Sequence, residues 1–291
     1  MRAISPSRER NDVAARFDLA VSGASVTLRP TTGAEDLLLA EHWPPDPVLV
    51  LRLLDRLGRI EAGGRPIPDW TAMPVVDVDT LIVRLRQMLV GDRVIAEITC
   101  GAEACASRVD LSFSLEAYLA HNRSAARMPR GRQWSVESCA DAPGWYTLRL
   151  RSAGVLRFRL PTLADQIAVY GTTAAEATLA SRCIAAAGEA DDCPKAVSSR
   201  ARAIADVAMA AMATPLSGPL QGCCPECGTT ITAFFDARLY CLQELHDRAR
   251  FVYDDVDTLA ERYHWSETAI LALPHARRVN YAERARRAAV A

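Results

Sequence analysis

The chain has 291 residues and a mass of 31.7 kDa, with 50% hydrophobic residues, 24% charged residues and a mean hydropathy of +0.01. That balance supplies enough apolar surface to offset chain entropy, which excludes wholesale disorder and suits two domains of ordinary size. Against 34 basic residues stand 35 acidic ones, a net charge of -1, so bulk electrostatics ask for neither nucleic acid nor an anionic membrane.

Taken in chain order, residues 1–22 read as an N-terminal extension. Arg2, Arg8, Glu9 and Arg10 have no apolar run behind them, so no secretory signal is expected and the protein is placed in the cytoplasm. A first module, 23–121, opens on the β-prone Val26–Pro30. It continues through a Thr32-x-x-Glu35 capping box and the apolar turn Leu37–Leu39 into helices over Val48–Leu57 and Asp79–Leu89. It closes on Cys100-x4-Cys105 and an alternating segment, Arg108–Phe113. Residues 122–152 read as a polar, Arg-rich linker and a hairpin, Gln133–Glu137 with Trp145–Arg151, around Ala140–Gly144.

The second module, 153–263, repeats this grammar. Leu156–Pro161 runs into Thr162-x-x-Asp165, two helical stretches follow over Thr173–Ala187 and Ser198–Ala213, and Cys224-x2-Cys227 leads into Thr230–Phe235. At a constant offset of 122, Cys105 matches Cys227, Val109 matches Ile231, Phe113 matches Phe235 and Tyr118 matches Tyr240. The pattern points to an internal duplication, with Pro30 on Pro161 and with Phe113 and Phe235 buried on equivalent strands. One long helix is predicted over Asp236–Tyr263, from a stripe of Leu239, Leu242, Leu245, Ala249, Val252, Val256, Leu259 and Tyr263. A capped turn, Ser266–Leu273, and a basic helix after Pro274 make up 264–291. The fold class is α+β. No stretch reaches the roughly 20 apolar residues of a membrane span; the weakly polar run 203–216 is short and interrupted by Asp206 and Pro215.

Nine cysteines in a chain without an export signal favour metal ligands and free thiols over a disulfide framework. Cys224-Pro225-Glu226-Cys227-Gly228 has the shape of a zinc knuckle, a tight turn that aims two thiolates at one point. Two such turns make a tetrahedral structural site, and the duplication supplies the second pair, so Cys100, Cys105, Cys224 and Cys227 are the predicted ligands of structural Zn2+. The pairs are 119 residues apart, so a pseudo-twofold arrangement of the modules must bring them together. The competing readings are a redox Cys-x-x-Cys, which wants a thioredoxin-like context, and buried free thiols. Cys223 stands as an alternative to Cys224, while Cys183 and Cys241 read as core residues and Cys139 and Cys193 lack paired spacing.

Catalytic signatures are not found: there is no Gly-x4-Gly-Lys loop, Gly-x-Ser-x-Gly elbow, His-Glu-x-x-His or Gly-x-Gly-x-x-Gly. The single lysine, Lys195, beside Pro194 in a polar stretch, reads as a loop residue. The five histidines are scattered, and Asp254, Asp255 and Asp257 are assigned to a solvated helix face. The protein is therefore expected to be no enzyme and to have no small-molecule substrate.

The strand into Leu160-Pro161-Thr162-x-x-Asp165, the Cys-Pro-x-Cys-Gly knuckle, Phe234-Phe235-Asp236 and its helix, and Tyr263-His264-Trp265-Ser266-Glu267-x-x-Ile270-Leu271-x-Leu273-Pro274-x-x-Arg277-Arg278-x-x-Tyr281 together resemble the baseplate assembly proteins of contractile phage tails and related injection systems, the T-even baseplate protein family. The likeness covers about residues 155 to 285. It implies a non-enzymatic assembly or structural role in a baseplate, other baseplate or tail subunits as partners, and a place in the bacterial cell or in the assembled particle; the net charge of -1 speaks against nucleic acid or membrane as partners. A zinc-ribbon nucleic-acid accessory protein is the alternative. The partner surface is expected on the C-terminal segment, at Trp265, Ile270, Leu271, Leu273, Arg277, Arg278 and Tyr281, as a docking element separate from the core.

Overall fold

The computed structural model describes residues 13–61, 69–124, 128–151, 154–186 and 198–290; Lys195 and Cys193 lie outside them. The first half starts with β1 (Ala15–Asp18) and β2 (Ser25–Leu28), followed by α1 (Gly33–Glu41), α2 (Pro47–Leu57) and β3 (Gly58–Glu61). A 3-10 turn (Trp70–Ala72) then leads to α3 (Val75–Leu89), the hairpin β4 (Arg93–Thr99) and β5 (Arg108–Ser114), and α4 (Leu115–His121). The second half follows with β6 (Trp134–Ser138), β7 (Trp145–Leu150), β8 (Gly154–Arg159), α5 (Leu163–Val169), α6 (Ala175–Cys183) and β9 (Ile184–Ala186). After α7 (Ser199–Met212) come β10 (Ser217–Cys223), β11 (Thr230–Asp236), α8 (Ala237–Ala249), α9 (Val252–Tyr263), α10 (Glu267–Leu271) and α11 (His275–Val290). The class is α+β, as expected.

Each half begins with an antiparallel sheet, β1-β2-β3 in one and β6-β7-β8-β9 in the other, and each ends in a separate two-stranded hairpin, β4-β5 and β10-β11. Leaving β6 aside, the run β-β-α-α-β-α-β-β-α from β1 to α4 has the same element order as that from β7 to α8. The two helix starts are built alike. Thr32 and Glu35 form a reciprocal capping box, as do Thr162 and Asp165. An arginine three residues before the cap, Arg29 or Arg159, then grips the same buried acid. These pairs fix the register at an offset of 130, which sets Pro30 opposite Leu160 and not opposite Pro161.

Several boundaries differ from the expected ones. β1 lies in the expected extension 1–22 but pairs with β2, and the hairpin β6-β7, expected in a linker, joins β8 in the sheet of the second half. The helix expected to run to Ala187 ends at Cys183, where the chain turns into β9. The expected single helix over Asp236–Tyr263 is two, α8 and α9, broken at Arg250 and Phe251. Neither glycine nor proline marks that break, and the apolar stripe runs through it, with Ala249 and Val252 both fully buried.

The main core joins β2, α2 and α3 of the first half to α8 of the second. A smaller core lies between α7 and the sheet of the second half. A third cluster, Leu259, Ile270 and Ala282 with Val256, Ala260, Trp265 and Tyr281 against it, holds α9, α10 and α11 together. No helix among the described residues is long and apolar enough to cross a membrane.

Candidate metal centre

The hairpins β4-β5 and β10-β11 are amphipathic ribbons whose inner positions, Ile98 and Val109 on one and Ile231 on the other, pack together directly beneath the cysteines. Further along, the ring of Phe235 meets those of Phe113, Tyr118 and Tyr240 at 5.2, 5.2 and 5.5 Å. Phe235 is buried, as expected, but Phe113 is only half-buried. Corresponding hydrogen bonds finish the two ribbons. Ser114 caps α4 and Asp236 caps α8, each accepting from the backbone N–H three residues on. The Leu115 N–H donates to the Asp92 carbonyl as the Ala237 N–H does to that of Leu216.

At the tips, one sulfur atom from each of Cys100, Cys105, Cys224 and Cys227 lies within 4.8 Å of the others. Cys100 Sγ is 3.7 Å from Cys227 Sγ, and Cys105 Sγ is 3.8 Å from Cys224 Sγ. A disulfide needs about 2.05 Å. A tetrahedron with metal–sulfur bonds of about 2.3 Å has edges of about 3.8 Å. The four thiols therefore suit a shared metal ion and do not suit cystine. Exchanging Cys100 with Cys224 and Cys105 with Cys227 turns the first of the two distances into the second, and they agree to 0.1 Å.

Backbone geometry shapes each turn. The Cys100 N–H donates to the Ser107 carbonyl and the Cys224 N–H to that of Thr229, so each tip is closed behind its first cysteine. After the second cysteine both turns enter the left-handed region, Gly228 at φ 72° and Ala106 at φ 45°. A side chain at such a position costs about 1–2 kcal/mol. Ala106→Gly is therefore expected to raise stability by about 1 kcal/mol or less once the greater freedom of unfolded glycine is set against it. Gly228→Ala, with nothing within 4 Å of its new methyl group, should lower stability by about 1 kcal/mol. Denaturant titration of the two variants checks the opposite signs.

The thiols do not ionise alike. Hydrogen bonds from the Thr229 side chain and backbone pull Cys227 down to about 6. At Cys100 the Ala102 N–H pulls the same way, but burial and the three neighbouring thiols push it up to about 11. Thiolates are the metal-binding form, so a cation is what allows all four to be ionised together. Cys223 is exposed and lies at the end of β10, outside the cluster. Cys183 and Cys241 are buried core thiols, as expected.

The expected partner-binding residues are placed differently. Ile270 is fully buried and Arg278 is 1% exposed; Trp265, Leu271, Leu273 and Tyr281 are half-buried, and Arg277 is exposed. Tyr281 packs edge-on to Trp265 at 5.3 Å, and the Gly33 N–H at the start of α1 donates to the Leu273 carbonyl. The segment is part of the body, which corrects the expectation of a separate docking element. The physical reason is that α11 buries the small Ala282 and Ala285 together with an ion-paired arginine, and none of these reads as core in a sequence.

That arginine organises a network the sequence reading missed. Arg278 donates through Nε to Asp255 at 3.1 Å and through a terminal nitrogen to Asp36 at 2.8 Å. His275 Nδ1 lies 2.7 Å from Asp36, and Arg286 reaches Asp255 at 2.7 Å. Asp255, expected on a solvated face, is 2% exposed. Only the helical phase of Asp255 relative to Val252 and Leu259, one turn away on either side, carried a hint of its burial. Compared with protein-family models, with curated proteins and with solved structures, the chain matches none.

Proposed function

We propose that this protein is a non-enzymatic assembly or structural component of a contractile-tail or injection-system baseplate, in which structural zinc clasps the two halves of an internally duplicated chain. The observation that carries the zinc is the pair of sulfur–sulfur separations, 3.7 and 3.8 Å, across residues 119 to 127 apart in sequence. A four-thiolate set with tetrahedral edges favours zinc among the common metals. The repeated element order and the matching capping boxes support the duplication. The baseplate role rests on the C-terminal likeness, whose Trp265, Ile270, Leu273 and Arg278 hold α10 and α11 to the body.

Affinity purification of the tagged full chain from the bacterium that makes it tests the role. The expected result is co-purification of tail tube, sheath or spike proteins, and loss of assembled contractile particles, seen by electron microscopy, when the gene is deleted. Normal particles in the deletion strain overturn the reading. Salt-dependent binding to DNA, without tail proteins, would place the chain with zinc-ribbon accessory proteins instead.

A further inference from the structure

A cavity of about 390 Å³ opens between α3 of the first half and α5, α6, α7 and α8 of the second, within the size range of sites for small ligands. Much of its wall is apolar, with Val75, Leu160, Leu179, Ala180, Met209 and Ala213. Asp79 also lines it and is 9% exposed. Arg238 Nε is 3.0 Å from the Asp79 carboxylate but is not aligned to donate, and that oxygen has no hydrogen-bond partner among the described residues. The hydrogen bond Arg238 does make here, at 2.7 Å, goes to the Gln166 side-chain oxygen.

A buried carboxylate with a misaligned counter-ion is costly unless a further donor satisfies it. Burial pushes Asp79 up to about 6, the charge of Arg238 pulls it back, and Asp236 adds repulsion. The other charges on the lining are Glu176, Asp206 and Arg202. Those three are exposed, so the buried charge a ligand meets is the Asp79 carboxylate beside Arg238, whose unpartnered oxygen calls for a further donor, which an ammonium supplies and an anion does not. We propose that it binds a small apolar amine, with the hydrocarbon against Leu160, Leu179 and Met209 and the ammonium donating to Asp79. Nothing in the baseplate reading requires such a site, and the two stand or fall separately.

The test uses the full chain and three probes of one shape: 2-phenylethylamine, 2-phenylethanol and 3-phenylpropionate, titrated by calorimetry or ligand-observed NMR at pH 7.5. The amine should bind at least tenfold more tightly than the alcohol, and the carboxylate should not bind. Asp79→Asn should remove the preference for the amine, and Ala180→Phe, which fills the cavity, should remove binding of both the amine and the alcohol. Circular dichroism of each variant checks that it is folded. Equal affinity for the three probes, no binding of the amine at millimolar concentration, or amine binding unchanged in folded Asp79→Asn would overturn the proposal.

Discussion

Purified protein is expected to carry one zinc ion per chain, and stripping it with a strong chelator is expected to separate the two hairpin tips and lower the thermal transition sharply. The sulfur cluster is held beneath by little apolar surface: Ile98, Val109 and Ile231 form a small satellite of the main core. Without a cation, four thiols stand within 4.8 Å of one another with no charge to draw them together. Structural zinc contributes on the order of 10–16 kcal/mol in small peptides, comparable with the whole net stability of a domain. In a chain that has large cores elsewhere, the loss should be several kcal/mol, confined at first to the seam between the halves. Cys224→Ser should give the same result as the chelator, while Cys223→Ser, at the exposed neighbour, should leave zinc content unchanged. Elemental analysis and thermal denaturation read both. A folded, metal-free chain indifferent to chelator would end the zinc argument.

How much of this was legible in the sequence follows from how each feature is written in residue types. The two cysteine pairs are local motifs with fixed spacing, and the offset of 122 that relates Cys105 to Cys227 matches β5 to β11 end to end, Arg108–Ser114 to Thr230–Asp236. Capping boxes at Thr32 and Thr162 were equally visible, because a cap is a relation across three residues. Proline alignment was a poorer guide than ion pairing, so the register of the first strands came out one residue away. The break between α8 and α9 was hidden because the apolar period survives it. Long-range charge burial was the least visible feature. Asp36, Asp255 and Arg278 are 219 and 23 residues apart in turn, and nothing in their neighbours announces that three elements converge on them.

That convergence makes Arg278 the residue outside the metal centre whose loss should cost most. Arg278 is 1% exposed, and it lies between Asp36 at 0% and Asp255 at 2%. Removing one member of a buried ionic group leaves the remainder uncompensated and typically costs about 3–5 kcal/mol. Arg278→Ala should therefore lower the melting temperature by on the order of 10 °C, while Arg277→Ala, exposed and one position away, should stay within about 0.5 kcal/mol of the parent. Deleting residues 265 to 291 should lower the transition too, since Ile270, Ala282 and Arg278 leave with the segment. The network also sets an acid limit. Burial alone would raise the Asp36 carboxyl, but its hydrogen bond to His275 and the charges of His275, Arg248 and Arg278 hold it below its ordinary value. A carboxyl depressed in the folded state binds its proton more readily when unfolded, so its contribution is present above about pH 4 and is lost as the pH falls further. Denaturant titration of the parent chain at successive pH values should show that fall. The same series on His275→Ala should show a shallower one, because the hydrogen bond and charge that do most to lower the Asp36 carboxyl have gone; an equally steep fall would mean that His275 does not set the charge state of Asp36.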